Sequence, residues 1–130
     1  VILIDDSIVR GTTSIKIVQM MREAGATEVH MRIAAPPIRH PDFYGIDTPV
    51  QDQLLAANSS LEEMCDFIGA DSLAFLTVDG LYKAMGHKNG RDNDNPAYTD
   101  HCFTGDYPTQ LQDQKNDEKI QQLSLLSERR

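Results

Sequence analysis

The chain opens on residues with chemical potential. Asp5 and Asp6 are adjacent carboxylates, and Gly11, Thr12, Thr13 and Ser14 follow five residues later. Paired carboxylates offer hard oxygen atoms to a sugar diol or to a divalent cation. Gly11 permits a left-handed backbone turn closed to other residues. The three hydroxyl residues stand where a helix pattern begins, and a helix N-terminus presents unpaired backbone N–H groups to a phosphate. A carboxylate pair beside a phosphate cradle suits a ligand that carries both a diol and a phosphate. A ribose 5-phosphate is such a ligand.

The elements that must hold these residues in place follow from hydropathy. Residues 1–4 are all apolar and read as a parallel strand buried on both faces. That puts Asp5 and Asp6 at its carboxyl end, where open α/β sheets bind ligands. Residues 13–24 are amphipathic, with Ile17, Val18, Met20 and Met21 on the apolar side and Gly25 to close the helix. A second strand is expected over 28–34 and a third over about 73–78. Pro36, Pro37 and Pro41 make an irregular loop after the second. Helices are expected at 50–57, 61–68 and 78–85, with Asn58-Ser59-Ser60 supplying a turn and cap and Gly69 an end. Residues 86–96 read as an exposed, mobile loop. Residues 102–109 read as more ordered. Residues 110–130 form a polar tail in which Ile120, Leu123 and Leu126 have a weak helical spacing. The fold class is α/β, a parallel sheet flanked by helices. Three strands are few for such a sheet, and further strands are expected before Val1.

Composition narrows the function classes. The 130 residues are 40% hydrophobic, which suffices for one small domain, and the formal net charge is −8. An acidic chain lacks the clustered cations that nucleic-acid binding needs. No apolar run approaches membrane-spanning length. The two cysteines, Cys65 and Cys102, are not expected to form a disulfide in a chain that reads as cytoplasmic. Cys65 falls in a helical pattern as a small core residue. His101-Cys102 lacks a second spaced pair and is a weak metal signal.

Residues 1–14 resemble the phosphoribosyl pyrophosphate (PRPP) motif of type I phosphoribosyltransferases. Further segments narrow the match: Arg22-Glu-Ala-Gly-Ala26, Ala34-Ala-Pro-Pro-Ile38, Tyr44-Gly-Ile-Asp47, Ile68-Gly-Ala-Asp71 and Cys102-Phe-Thr-Gly-Asp-Tyr-Pro-Thr109. In this order they resemble the C-terminal part of the phosphoribosyltransferase domain of the amidophosphoribosyltransferase family, over residues 1–109. A receiver domain also opens on an apolar strand and two acids, with Asp79 as its phosphoacceptor. The intervening stretch is too long for that fold, and Arg10–Ser14 would go unexplained.

The resemblance implies an incomplete type I phosphoribosyltransferase fold. It also implies a parent enzyme that moves glutamine-derived ammonia onto PRPP, giving phosphoribosylamine, pyrophosphate and glutamate, the first step of purine synthesis. By the same resemblance Asp5 and Asp6 face the ribose hydroxyls and Mg²⁺. Val9, Arg10, Gly11, Thr12, Thr13 and Ser14 hold the 5-phosphate, with Arg10 either on the phosphate or in solvent. No catalytic residue is assigned in this stretch. The ammonia would come from a glutaminase domain not contained here, purine nucleotides would be feedback inhibitors, and the full-length enzyme would be a homo-oligomer. Many relatives of the wider fold carry an acid where Val9 stands. Neutral ammonia already has its lone pair and needs no such base. Some amidophosphoribosyltransferases hold an iron–sulfur cluster through four cysteines. Asp42 and Thr99 stand at two of those positions and Cys102 at a third, so no cluster is expected. The competing expectation is a non-catalytic PRPP- or nucleotide-binding regulatory module. The segments at 44–47 and 102–109 favour the enzyme.

Overall fold

Three four-residue strands, β1 (Ile2–Asp5), β2 (His30–Ile33) and β3 (Ser72–Phe75), form a parallel sheet in the order β1-β2-β3 in a computed structural model that describes residues 1–109. The expected helical spacing in the tail lies outside the described residues. Leu3, Met31 and Leu73 are in register, as are Asp5, Ile33 and Phe75. Both crossovers step in the same direction. A right-handed connection therefore puts both returning helices on one face. Val18 from helix α1 (Thr12–Glu23) and Met64 and Ile68 from a later helix, α3 (Leu61–Ile68), share one core with Met31, Ile33 and Leu73.

The opposite face carries no helix among the described residues. Ile2 and Ile4 are 69% and 79% exposed there. The expectation that residues 1–4 are buried on both faces is therefore corrected. A run of four apolar residues is compatible with two covered faces, but among the described residues β1 is covered on one.

Most helices match their sequence signals. Helix α1 ends at Glu23 with Ala24 as its C-cap, and Gly25 follows at φ 97°. Helix α3 has a capping box: Glu63 N–H donates to Ser60 Oγ, and Ser60 N–H donates to the Glu63 carboxylate. Gly69 ends it at φ 74°. The stretch 50–57 is a correction. It divides into a 3-10 turn, Gln51–Gln53, and a single-turn helix α2, Leu55–Asn58, with Leu54 extended between them. Leu54 is wholly buried, and the N–H of Leu55 donates to Val9 O rather than continuing a helix. A tertiary hydrogen bond and a core contact override helix propensity here. Strand β3 stops at Phe75, short of the expected end, because Thr77 caps α4 (Val78–Ala84) through Gly80 N–H.

The stretch 86–96 is a loop and mostly exposed, as expected, but Gly90 and Arg91 depart from that reading. Gly90 is buried, and Arg91 N–H donates to Asp79 Oδ1. The Arg91 guanidinium is 8% exposed and pairs with Asp100 and Asp106, each at 2.6 Å. Tyr82 Oη donates to Asp100 Oδ2 at 2.8 Å. Burial alone would raise the Asp100 pKa; Arg91, Tyr82 and Thr104 outweigh it and hold it below its ordinary value. Hydrogen bonds to Asp100 and Asp106 push Arg91 further up. Polar composition signalled solvent exposure, but a buried cation with internal partners satisfies the same residue types. The last helix among the described residues, α5 (His101–Thr104), follows directly.

Candidate functional site

At the carboxyl end of β1 lies a cleft of about 310 Å³ lined by Asp5, Asp6, Ser7, Ile8, Val9, Arg10, Gly11, Thr12, Thr13 and Ser14. All eight residues singled out in this motif meet here. Asp5 ends the strand, and Ile8, 2% exposed, anchors the loop in the core. Gly11 is the N-cap of α1 at φ 78°, with no side-chain cap and no acidic residue in the first turn. The helix's own hydrogen bonding starts with Ile15 N–H donating to Gly11 O. The N–H groups before it have no intrahelical acceptor, and no acid in the first turn offsets the positive end of the helix dipole. An anion at the cleft would meet both.

The acid pair is arranged for an external partner. Asp6 N–H donates to Asp5 Oδ1 at 3.0 Å, and Ser7 N–H donates to Asp6 Oδ1 at 2.8 Å. Those bonds orient each carboxylate and leave the second oxygen of each without a protein hydrogen bond among the described residues. A carboxylate oxygen on each residue without a protein partner is the kind of hard donor that a hydrated divalent cation takes. Arg10 turns away from that pair: its Nη2 donates to Gln53 Oε1 at 2.9 Å. Ser14, 2% exposed, sits at the inner wall.

A second constellation was not legible as a unit. Asp42, His101 and Cys102 bring one ligand atom each within 4.8 Å of one another. Asp42 Oδ2 accepts backbone N–H groups from Tyr44 and Ile46, and Asp42 Oδ1 lies 2.7 Å from His101 Nε2. Burial raises the Asp42 pKa, but these donors outweigh it and hold it below the ordinary value. Burial pushes the Cys102 thiol up. Two geometric facts decide what the cluster does. Cys102 Sγ and Asp42 Oδ1 both face Nε2, while buried Nδ1 has no partner among the described residues. A Cys–His–Asp relay needs its acid and its nucleophile on opposite ring nitrogens. Nitrogen and oxygen ligands of a tetrahedral zinc sit roughly 3.3 Å apart, so the 2.7 Å separation is that of a hydrogen bond. The cluster fastens the loop after β2 to α5. Asp42 lies 59 residues before His101, and no local pattern joins it to the adjacent His101-Cys102.

No family model matches the sequence. It is similar to the amidophosphoribosyltransferase of Rhizobium etli, 59% identical over 128 residues, covering 98% of this chain and 26% of that protein. It is 56% identical to the Bacillus subtilis enzyme over 111 residues, covering 85% of this chain and 23% of that protein. Among solved structures it is similar to the glutamine PRPP amidotransferase from B. subtilis complexed with ADP and GMP. The TM-score is 0.75 and the identity 55%, over 85% of this chain and 24% of that one. The likeness read from the motifs thus extends over nearly the whole chain, and the α/β fold is that of the same enzymes. The chain spans about a quarter of the length of the relatives it matches. Among the described residues, no helix is long and apolar enough to cross a membrane.

Proposed function

We propose that the chain is the C-terminal part of the phosphoribosyltransferase domain of an amidophosphoribosyltransferase, and that the Asp5–Ser14 cleft is its PRPP site. One observation carries the assignment. The residues that the motif names line a single cleft at an uncapped helix N-terminus. In this assignment the N–H groups and hydroxyls of Thr12, Thr13 and Ser14 take the 5-phosphate. Val9 and Gly11 shape the loop, and Arg10, tied to Gln53, contributes positive charge at its rim. Asp5 and Asp6 take the ribose hydroxyls and would hold Mg²⁺, which supplies charge neutralisation for the pyrophosphate group.

The reaction breaks the bond from ribose carbon 1 to the pyrophosphate oxygen and forms one to ammonia nitrogen. A proton then leaves the nitrogen, and pyrophosphate departs with the bonding electrons. Positive charge develops on the ring as the bond breaks, and the Asp5–Asp6 carboxylates face it. The chain's own contribution is positioning and electrostatic stabilisation. No side chain here acts as a base, consistent with Val9 at the loop position and with neutral ammonia as nucleophile. The ammonia comes from a glutaminase domain elsewhere in the parent protein, a homo-oligomer of the cytoplasm. Purine nucleotides regulate it; a relative's structure was solved with ADP and GMP. The parent carries no iron–sulfur cluster, since Asp42 is occupied with His101 and Thr99 offers no thiolate. Iron and sulfide analysis of anaerobically purified enzyme should find neither, and a stoichiometric brown chromophore would contradict this.

The decisive experiment is ammonia-dependent kinetics of Asp5→Asn and Asp6→Asn in the full-length enzyme. Each removes a charge-assisted contact worth roughly 1.5–3 kcal/mol, so kcat/KM for PRPP should fall about tenfold to a hundredfold. Glutamine hydrolysis without PRPP should survive. Wild-type kcat and KM in both variants would overturn the assignment.

A further inference from the structure

Three consecutive residues of the phosphate loop are each held by a segment that begins some forty residues later. Leu55 N–H donates to Val9 O at 2.9 Å. Gln53 Oε1 accepts from Arg10 Nη2 at 2.9 Å. Gly11 is pressed from outside: a Cβ there would lie 2.7 Å from Leu55 Cδ2 and 3.0 Å from Phe67 Cε1. None of Gln53, Leu55 and Phe67 lines the cleft. They also explain two irregularities. The break at Leu54 frees the Leu55 N–H for Val9. Phe67 is 50% exposed, a large ring left on the surface of α3 with one edge against Gly11.

Backbone N–H groups bind phosphate well only when the loop is fixed before the ligand arrives, because ordering it on binding subtracts from affinity. We infer that Gln53, Leu55 and Phe67 are positioning residues that hold the Val9–Gly11 backbone in its phosphate-binding shape, so that PRPP affinity is set partly by the α2–α3 segment. This rests on the PRPP assignment above. The loop grips the phosphate equally before and during reaction. Loosening it should therefore raise Kd and KM and leave kcat nearly unchanged.

The test uses the full-length enzyme with PRPP and Mg²⁺, measuring Kd, KM, kcat and melting temperature. Phe67→Ala should raise Kd and KM on the order of tenfold, below the about hundredfold that a 1 Å misplacement can cost. Phe67→Tyr keeps the ring edge and should restore most of that affinity. Leu61→Ala truncates an apolar residue of the same helix, 51% exposed, that is not among the nearest neighbours of Gly11. It should leave Kd unaltered. If Phe67→Ala fails to fold, Gln53→Ala decides: its exposed side chain bears on Arg10 alone, and Kd should rise severalfold. Asp5→Asn separates the two levels of the argument. Absence of PRPP binding by the wild type, or unaltered binding by Asp5→Asn, defeats the PRPP assignment. Weakened binding by Asp5→Asn together with wild-type Kd in Phe67→Ala and Gln53→Ala defeats the positioning role. Equal loss in Leu61→Ala and Phe67→Ala would defeat it too, as a general effect of helix truncation.

Discussion

The loop at Asp5–Ser14 and the cluster around Arg91 are built from the same residue types, acids beside hydrogen-bond donors, yet they do opposite things. At Arg91 every charge is answered inside the protein. Asp100 receives the guanidinium, the Tyr82 hydroxyl and the Thr104 hydroxyl, and Asp106 receives a second guanidinium nitrogen. At the cleft, each acid accepts one neighbouring backbone N–H and keeps an oxygen free, and the helix terminus keeps its donors. Acids and donors in proximity mark a structural joint when they satisfy one another. They mark a binding site when both sets face outward with nothing between them.

The contrast predicts that damage at the two places is read by different instruments. Arg91→Ala leaves buried Asp100 unpaired and should lower the unfolding free energy by about 3–5 kcal/mol in urea titrations. The PRPP affinity of the remaining folded protein should be preserved. A loss under about 1 kcal/mol, the range of exposed pairs, would mean that the cluster is not the closed joint described. Asp5→Asn should do the reverse: its half-buried side chain keeps an oxygen for the Asp6 N–H, so stability should change by no more than about 1 kcal/mol, while PRPP binding collapses. A large drop in melting temperature for Asp5→Asn would erase the distinction.

Acid titration sharpens it further. Asp42 and Asp100 are held below the ordinary carboxylate value of 3.8, so each contributes stability above that pH and loses it as pH falls through the folded-state value. Unfolding free energy should therefore fall below about pH 4. Asp42→Asn can still accept from His101 and should flatten that decline. An identical acid slope in wild type and variant would remove Asp42 from the account. The smallest effect is expected at Ser60→Ala, which removes half of the α3 capping box at a cost of about 1 kcal/mol. PRPP affinity should be unmoved, which tests whether modest destabilisation of α3 reaches the cleft.

Legibility in the sequence followed the range of the interactions. The β1 end, Gly11 and the α1 start are one continuous stretch, and eight of the ten residues lining the cleft could be named from it, Ser7 and Ile8 excepted. Helix α3 was equally plain, because Ser60, Glu63 and Gly69 are local signals. Leu54 and Arg91 were not legible. Leu54 interrupts a helical pattern to satisfy Val9, and Arg91 looks like one more polar loop residue until Asp79, Asp100 and Asp106 surround it. The Asp42–His101 pair joins residues 59 apart, and nothing in their spacing announces it.

Strand β1 has one consequence beyond the cleft it supports. Its outer edge has no neighbouring strand among the described residues, and Val1, Ile2 and Ile4 are 56%, 69% and 79% exposed. An apolar strand with free backbone donors and acceptors is a template for other copies of itself. Handled by itself, this stretch should associate edge to edge as its concentration rises, which light scattering of a dilution series would read.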